Sequence, residues 1–188
     1  TTPKYGGDID QVRIFNKALS SSEVTTLYGE VACEYTCTTD TNGFPASASS
    51  DLVAYYKLDN DATDETASYN GTATDVTFDG GRYGSSAVFN GSSSFINTGI
   101  SNTTIPLSSD FSISAWINTN SSSGFFIAEG DFNSWNTAGF ALGIVSGNKV
   151  ELSFGNVAPS GGPQVQSSAL AADTWYHIVG VVDIGNVL

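Results

Sequence analysis

From Leu52 onward the chain breaks into short segments in which apolar and polar residues alternate, separated by compact turn signals. The segments are LVAYYKL, TATDVTF, SAVFNG, SFINTGI, FSISAWIN, GFFIAEG, GFALGIV, KVELSFG and TWYHIVGVVDI. Asn70-Gly71, Asp79-Gly80-Gly81, Asn90-Gly91 and Gly147-Asn148 punctuate them, and these are the residue pairs that tight turns favour. No helical period of useful length occurs after residue 30. Many short strands at close, regular spacing predict an all-β fold, an antiparallel jelly-roll sandwich. In FSISAWIN, Phe111, Ile113, Ala115 and Ile117 share one face and Ser112, Ser114, Trp116 and Asn118 the other, so the first face belongs to the core. Leu52, Ala54, Tyr56 and Leu58 likewise oppose Val53, Tyr55, Lys57 and Asp59. That second face is semi-polar and aromatic, suited to a groove wall or to a half-exposed sheet face.

The first 30 residues differ in texture. DIDQVRIFNK carries Ile9, Val12, Ile14 and Phe15 and reads as a strand. Ser20 with Glu23 three residues on makes a capping box, Leu19 and Val24 occupy the staple positions, and Gly29 is placed to end the helix. Val24, Leu27 and Tyr28 fall on one face. A helix of two turns is too short to stand alone and must dock on something. Residues 31–50 lose periodicity and have the composition of a linker. Cys33 and Cys37 lie within it, four apart, where a local disulfide and free thiols are both open, and one histidine in the chain leaves no zinc ligand set.

Composition narrows the partners. Six Lys+Arg against 19 Asp+Glu give a formal charge of -13 over 188 residues, which repels nucleic-acid phosphates and anionic membrane surfaces. Charged residues make up only 13%, so Ser, Thr, Asn and Gly must supply the solubility. No apolar stretch approaches the length of a bilayer span, and no secretory signal is visible. The absence of methionine, the Thr-Thr-Pro start and the stop within an apolar run suggest a piece of a longer polypeptide.

Several separated segments resemble the laminin G-like or concanavalin A-like lectin/glucanase family, in the form common in phage appendages and bacterial surface proteins. LVAYYKLDN, YNGTA and GRYGSSAVFNGSSSFINTG are similar to its opening pattern, FSISAWIN and TWYHIVGVVD to its Trp-bearing strands, and GDIDQVRIFNKALSSSEVTTLY to its closing strand and helix. Here the closing pattern precedes the opening one. The expectation is a tandem array: residues 1–30 close a preceding module, 31–50 link, and 51–188 form a module truncated at its C-terminal end. Circular permutation is the alternative, with the first strand completing the sheet of residues 51–188.

The resemblance implies an extracellular or virion-surface adhesion module, non-enzymatic, with neighbouring modules or subunits and cell-surface glycan as partners. For calcium, which takes several oxygen ligands, the cluster Asp59, Asn60, Asp61 and Asp64 is the candidate, with Asp10 matching a recurrent family acid. The alternatives are solvated turn carboxylates and, for Asp10, a backbone anchor. For glycan, which stacks on exposed aromatics beside amides, Trp135 with Asn133 and Asn136 is the candidate, and Tyr69 with Asn70 a second. Glu129-Gly130-Asp131 matches only half of the Glu-x-Asp-x-x-Glu strand that some glycan hydrolases on this fold use, since Ser134 stands where the last acid belongs. His177 has no nucleophile motif near it and reads as a packed or surface histidine.

Overall fold

The computed structural model describes residues 4–30, 50–119, 123–129, 138–156 and 163–186. The described strands form two antiparallel sheets packed face to face, as the alternation requires. In chain order they are β1 (Gly6–Phe15), β2 (Leu52–Tyr56), β3 (Thr72–Thr74), β4 (Thr77–Gly80), β5 (Ser85–Asn90), β6 (Phe95–Asn97) and β7 (Phe111–Thr119). They continue with β8 (Gly124–Glu129), β9 (Ala138–Val145), β10 (Lys149–Asn156), β11 (Gln164–Ala169) and β12 (Trp175–Val182). One helix, α1 (Ser21–Tyr28), follows β1. The larger sheet runs β12-β7-β1-β5-β4, with β2 also paired to β1; the smaller runs β11-β10-β9-β8, and β3 with β6 makes a separate ladder.

β1 is therefore internal to the sheet. One edge pairs with β7 along its length, while the other is shared by β5, from Gly6 to Ile9, and β2, from Val12 to Phe15. The strand read as the tail of a preceding module thus lies within the sheet of residues 51–182, the placement that the permuted alternative expects. Residues 31–49, including Cys33 and Cys37, lie outside the described set.

The core faces were legible. Phe111, Ile113, Ala115 and Ile117 are buried with Ala54, Tyr56 and Leu58 between the sheets. Strict alternation fails in β1. Gln11 takes a φ of 53° and the register with β7 shifts between Asp10 and Arg13, so Ile9 and Val12, three apart, both face inward. The bulge also turns Asp10, Arg13 and Phe15 to the outer face of the sheet.

That outer face is not a solvent face, because α1 docks on it. Leu27, fully buried, packs with Phe15 and Leu19, and Val24, Leu52 and Val179 surround them. The capping box forms as its spacing predicts: Ser20 Oγ accepts from Glu23 N and Glu23 Oε2 from Ser20 N. Lys17 Nζ lies 2.7 Å from Glu23 Oε1; this contact, helped by the cap, brings the Glu23 carboxyl down to about 2. Ser112, buried on β7, accepts from Leu19 N and donates to Lys17 O, fastening the turn between strand and helix. Gly29 ends the helix with a right-handed φ of -81°, so its left-handed freedom is not used.

Elsewhere glycine is required by close approach. At Gly124 φ is +147°, and a Cβ would sit 2.5 Å from the backbone of Lys4 and Tyr5. There the start of β1 touches the second sheet, through a bridge between Lys4 and Phe125.

Candidate functional site

Two aspartates organise the outer face by gripping the turn Gly81–Gly84. Asp10 Oδ2 accepts from Tyr83 N at 2.8 Å, and Asp59 Oδ1 accepts from Ser85 N at 2.8 Å. Gly81 N donates to Gly84 O across the turn, and at Gly84, with φ of +66°, a side chain would collide with the Asp59 carboxylate. Burial drives the Asp10 carboxyl up to about 6, opposed by the Tyr83 N–H and reinforced by the charge of Asp59. Its Oδ1 is buried without a hydrogen-bond partner.

The gripped turn places Arg82 and Tyr83 over Trp116, which is almost fully buried. Tyr28, from the end of α1, stacks on the indole with ring centroids 5.7 Å apart and planes 23° apart. Tyr83 meets it edge-on at 5.9 Å, His177 lies at 5.2 Å, and the Arg82 guanidinium carbon stands 4.8 Å from its centroid. Tyr83 Oη donates to Glu30 O, so the turn also holds the chain leaving the helix. Beneath, Arg13 pairs with Glu30 at 2.7 Å and lies 4.2 Å from the centre of the Tyr55 ring, whose hydroxyl donates to Gln11 Oε1. Burial raises the Glu30 carboxyl against the pull of Arg13.

His177, read from the sequence as a packed or surface histidine, is packed. Its Nε2 is 2.8 Å from Ser114 Oγ, and burial, aided by the charge of Arg13, lowers it to about 4. At neutral pH the imidazole is uncharged. What reaches solvent is Tyr28, 62% exposed, and the exposed Arg82, whose guanidinium makes no hydrogen bond among the described residues. The sequence signal for this patch was the Trp in FSISAWIN, on the face opposite the core; its partners come from residues 28, 82 and 83.

The expected calcium ligands do not converge. Among the described residues no three His, Cys, Asp or Glu side chains are grouped to hold a metal. Asp64 is withdrawn into the fold: Oδ1 accepts from Tyr55 N and Thr66 N, and Oδ2 from Thr66 Oγ1, Ser68 N and Tyr69 N. Burial opposes its charge, but these donors outweigh it and lower the carboxyl below its ordinary range. A carboxylate so surrounded by N–H groups has no lone pair left for a cation. Asp59 and Asp10 grip the turn, Asp61 Oδ1 accepts from Thr63 N, and Asn60 Oδ1 accepts from Ser85 Oγ. Asp10 holds a backbone N–H, as its alternative reading named, whereas Asp64, read alternatively as a solvated turn carboxylate, is buried and anchors backbone as well.

Of the glycan candidates, Trp135, Asn133 and Asn136 lie outside the described residues, as does Asp131. Tyr69 is half-buried against the core, and its carbonyl accepts from Tyr56 Oη. Glu129 ends β8 with Oε1 accepting from Asn102 N. No described helix is long and apolar enough to cross a membrane.

No curated protein and no solved structure matches the chain. A family profile does, described as concanavalin A-like lectin/glucanases superfamily, over residues 90–188. That span, more than half of the chain, takes in FSISAWIN and TWYHIVGVVD, while β1, α1 and β2 precede it. Profile, antiparallel sandwich and Trp-bearing outer face agree, and the chain belongs to the concanavalin A-like lectin/glucanase superfamily, as a laminin G-like domain.

Proposed function

We propose that the protein is a non-catalytic recognition module that binds glycan through the patch formed by Tyr28 and Arg82. The stacking of Tyr28 on Trp116 carries this reading. A solvent-facing ring held flat by a buried indole offers a preorganised apolar face for a sugar ring, and the adjacent unbonded guanidinium offers donors to hydroxyl or carboxylate oxygens. Supporting a binding role over hydrolysis, Glu129 accepts from Asn102 N, and on the outer face Asp10 accepts from a backbone N–H and Glu30 pairs with Arg13. The low-charge composition and the family favour a surface setting, either a virion appendage or a secreted bacterial protein, with neighbouring modules beside it.

Glycan-array binding followed by calorimetry tests this. The wild-type chain is expected to bind a defined glycan set, with affinity falling at least about tenfold for Tyr28→Ala and for Arg82→Ala. Absence of binding by the wild type, or wild-type affinity in both variants, overturns the assignment. Loss on Trp135→Ala alone moves the site to that residue.

A further inference from the structure

A second concavity lies on the other side of the sheet. Between the sheets, at the end where Lys4 meets Phe125, is a cavity of about 260 Å3. Its walls include Ile9, Val12 and Ile14 of β1, Phe89 of β5, Phe126 of β8 and Phe140 of β9. Sandwich cores are normally packed without voids much larger than a water molecule, and an engineered cavity of about 150 Å3 already admits benzene. These walls offer a sugar almost no hydrogen-bond partners, so the space is distinct in chemistry from the Tyr28 patch.

The polar groups on its lining are nearly all committed. Ser94 Oγ donates to Asp75 O and accepts from Asn90 N, Tyr56 Oη donates to Tyr69 O, Tyr5 Oη donates to backbone carbonyls, and Thr98 Oγ1 accepts from Ile100 N. Glu129 is the exception. Its Oε1 takes Asn102 N, but Oε2 is buried without any partner while the residue lines the cavity. A carboxylate oxygen in that state is costly unless a donor reaches it, and a cation satisfies it best. At the mouth, Lys4 Nζ is engaged with the Phe95 ring, 5.9 Å from its centroid.

We propose that this cavity binds a small apolar amine, its hydrocarbon body between the sheets and its ammonium on Glu129 Oε2. The body can exceed a single benzene ring. An anionic head group is disfavoured by Glu129 itself, and the net charge of -13 draws cations toward the module.

Calorimetric titration of the full chain with hexylamine, hexanol and hexanoate tests the head-group preference. Hexylamine is expected to bind at least about tenfold tighter than hexanol, with hexanoate weakest. Glu129→Gln, which keeps an oxygen for Asn102 N, removes the preference for the amine. Ile127→Phe, which fills the cavity from β8, weakens all three. Tyr28→Ala leaves amine binding unchanged, which separates this site from the glycan patch. If Glu129→Gln does not fold, the head-group series on the wild-type chain decides alone. Failure of hexylamine to bind, tightest binding by hexanoate, or an amine preference that survives in Glu129→Gln overturns the proposal.

Discussion

The backbone N–H of Tyr83 donates to Asp10 Oδ2 across 2.8 Å, joining the middle of β1 to a turn 73 residues later. Asp10→Ala removes the acceptor and leaves a buried N–H, at a cost of about 2 kcal/mol. Asp10→Asn keeps an oxygen for Tyr83 and stays within about 1 kcal/mol of the native chain. Urea unfolding at neutral pH followed by tryptophan fluorescence measures both, and equal midpoints for the two variants would show that the bond contributes nothing.

Asp10 and His177 pull stability in opposite directions over almost the same pH range. Asp10 titrates near 6 folded against 3.8 ordinarily, so its contribution is present at low pH and lost as pH rises toward 6. His177 titrates near 4 folded against 6.5, so the unfolded chain binds the extra proton and stability falls as pH drops from 6.5 toward 4. Each amounts to something on the order of 3 kcal/mol. The native chain is therefore expected to show a flat profile between pH 4 and 6. Asp10→Asn should tilt it upward with pH and His177→Gln downward, and parallel profiles for the two would refute the assignment.

Asp64 is the hub of the loop after β2. Asp64→Ala strands four backbone N–H groups and a hydroxyl, each costing about 1–3 kcal/mol, which approaches the whole stability of a domain. No cooperative unfolding transition is expected for it. Asp64→Asn, with one acceptor oxygen in place of two, should fold but lose about 3 kcal/mol. Because the folded carboxyl sits below 3.8, its stabilisation is present above that value and disappears as the solution is made more acid.

Among the contacts that hold the helix are the buried Leu27 side chain and the Ser20 cap. Leu27→Ala, at a fully buried position, should cost about 2–4 kcal/mol, and Ser20→Ala about 1 kcal/mol. Loss of Leu27 should also free Tyr28 from Trp116, raising acrylamide quenching of tryptophan; unchanged quenching would contradict the docking of α1 on that face.

Calcium provides a separate test. With Asp64 saturated by N–H donors, millimolar calcium or a chelator should move the unfolding midpoint by less than about 1 °C. A rise of several degrees that Asp59→Asn abolishes would restore the loop as a metal site.

The sandwich, the capping box and the core faces of β2 and β7 could be read from the sequence because each is encoded by neighbours in the chain. β11 could not: QVQSSA is exposed throughout its length and carries no apolar alternation, as suits a sheet edge. The Gln11 bulge was also invisible, since nothing in DIDQVRIF marks where the phase reverses. What covers the outer face was not legible for the same physical reason. Ser112 and Ser114 look solvent-facing in sequence, yet α1 and His177 bury them, and those partners lie 60 or more residues away. Asp10 and Asp64 matched a ligand-like pattern of acids, but a carboxylate that collects N–H groups has the same sequence signature as one that collects a cation.

The internal position of β1 sets a constraint on the order of assembly. Synthesis delivers this strand before its partners, and two of them, β5 and β7, emerge some 80 to 100 residues later. Until β7 is made, the strand has one complete edge without a ladder, and closing the sheet requires contacts of high sequence separation. The short capped helix, complete within 30 residues, is the first described element that can form behind it in that interval. A nascent chain of this design leaves β1 unpaired longer than the strands that follow it, and such an open strand edge is where a chaperone would have use.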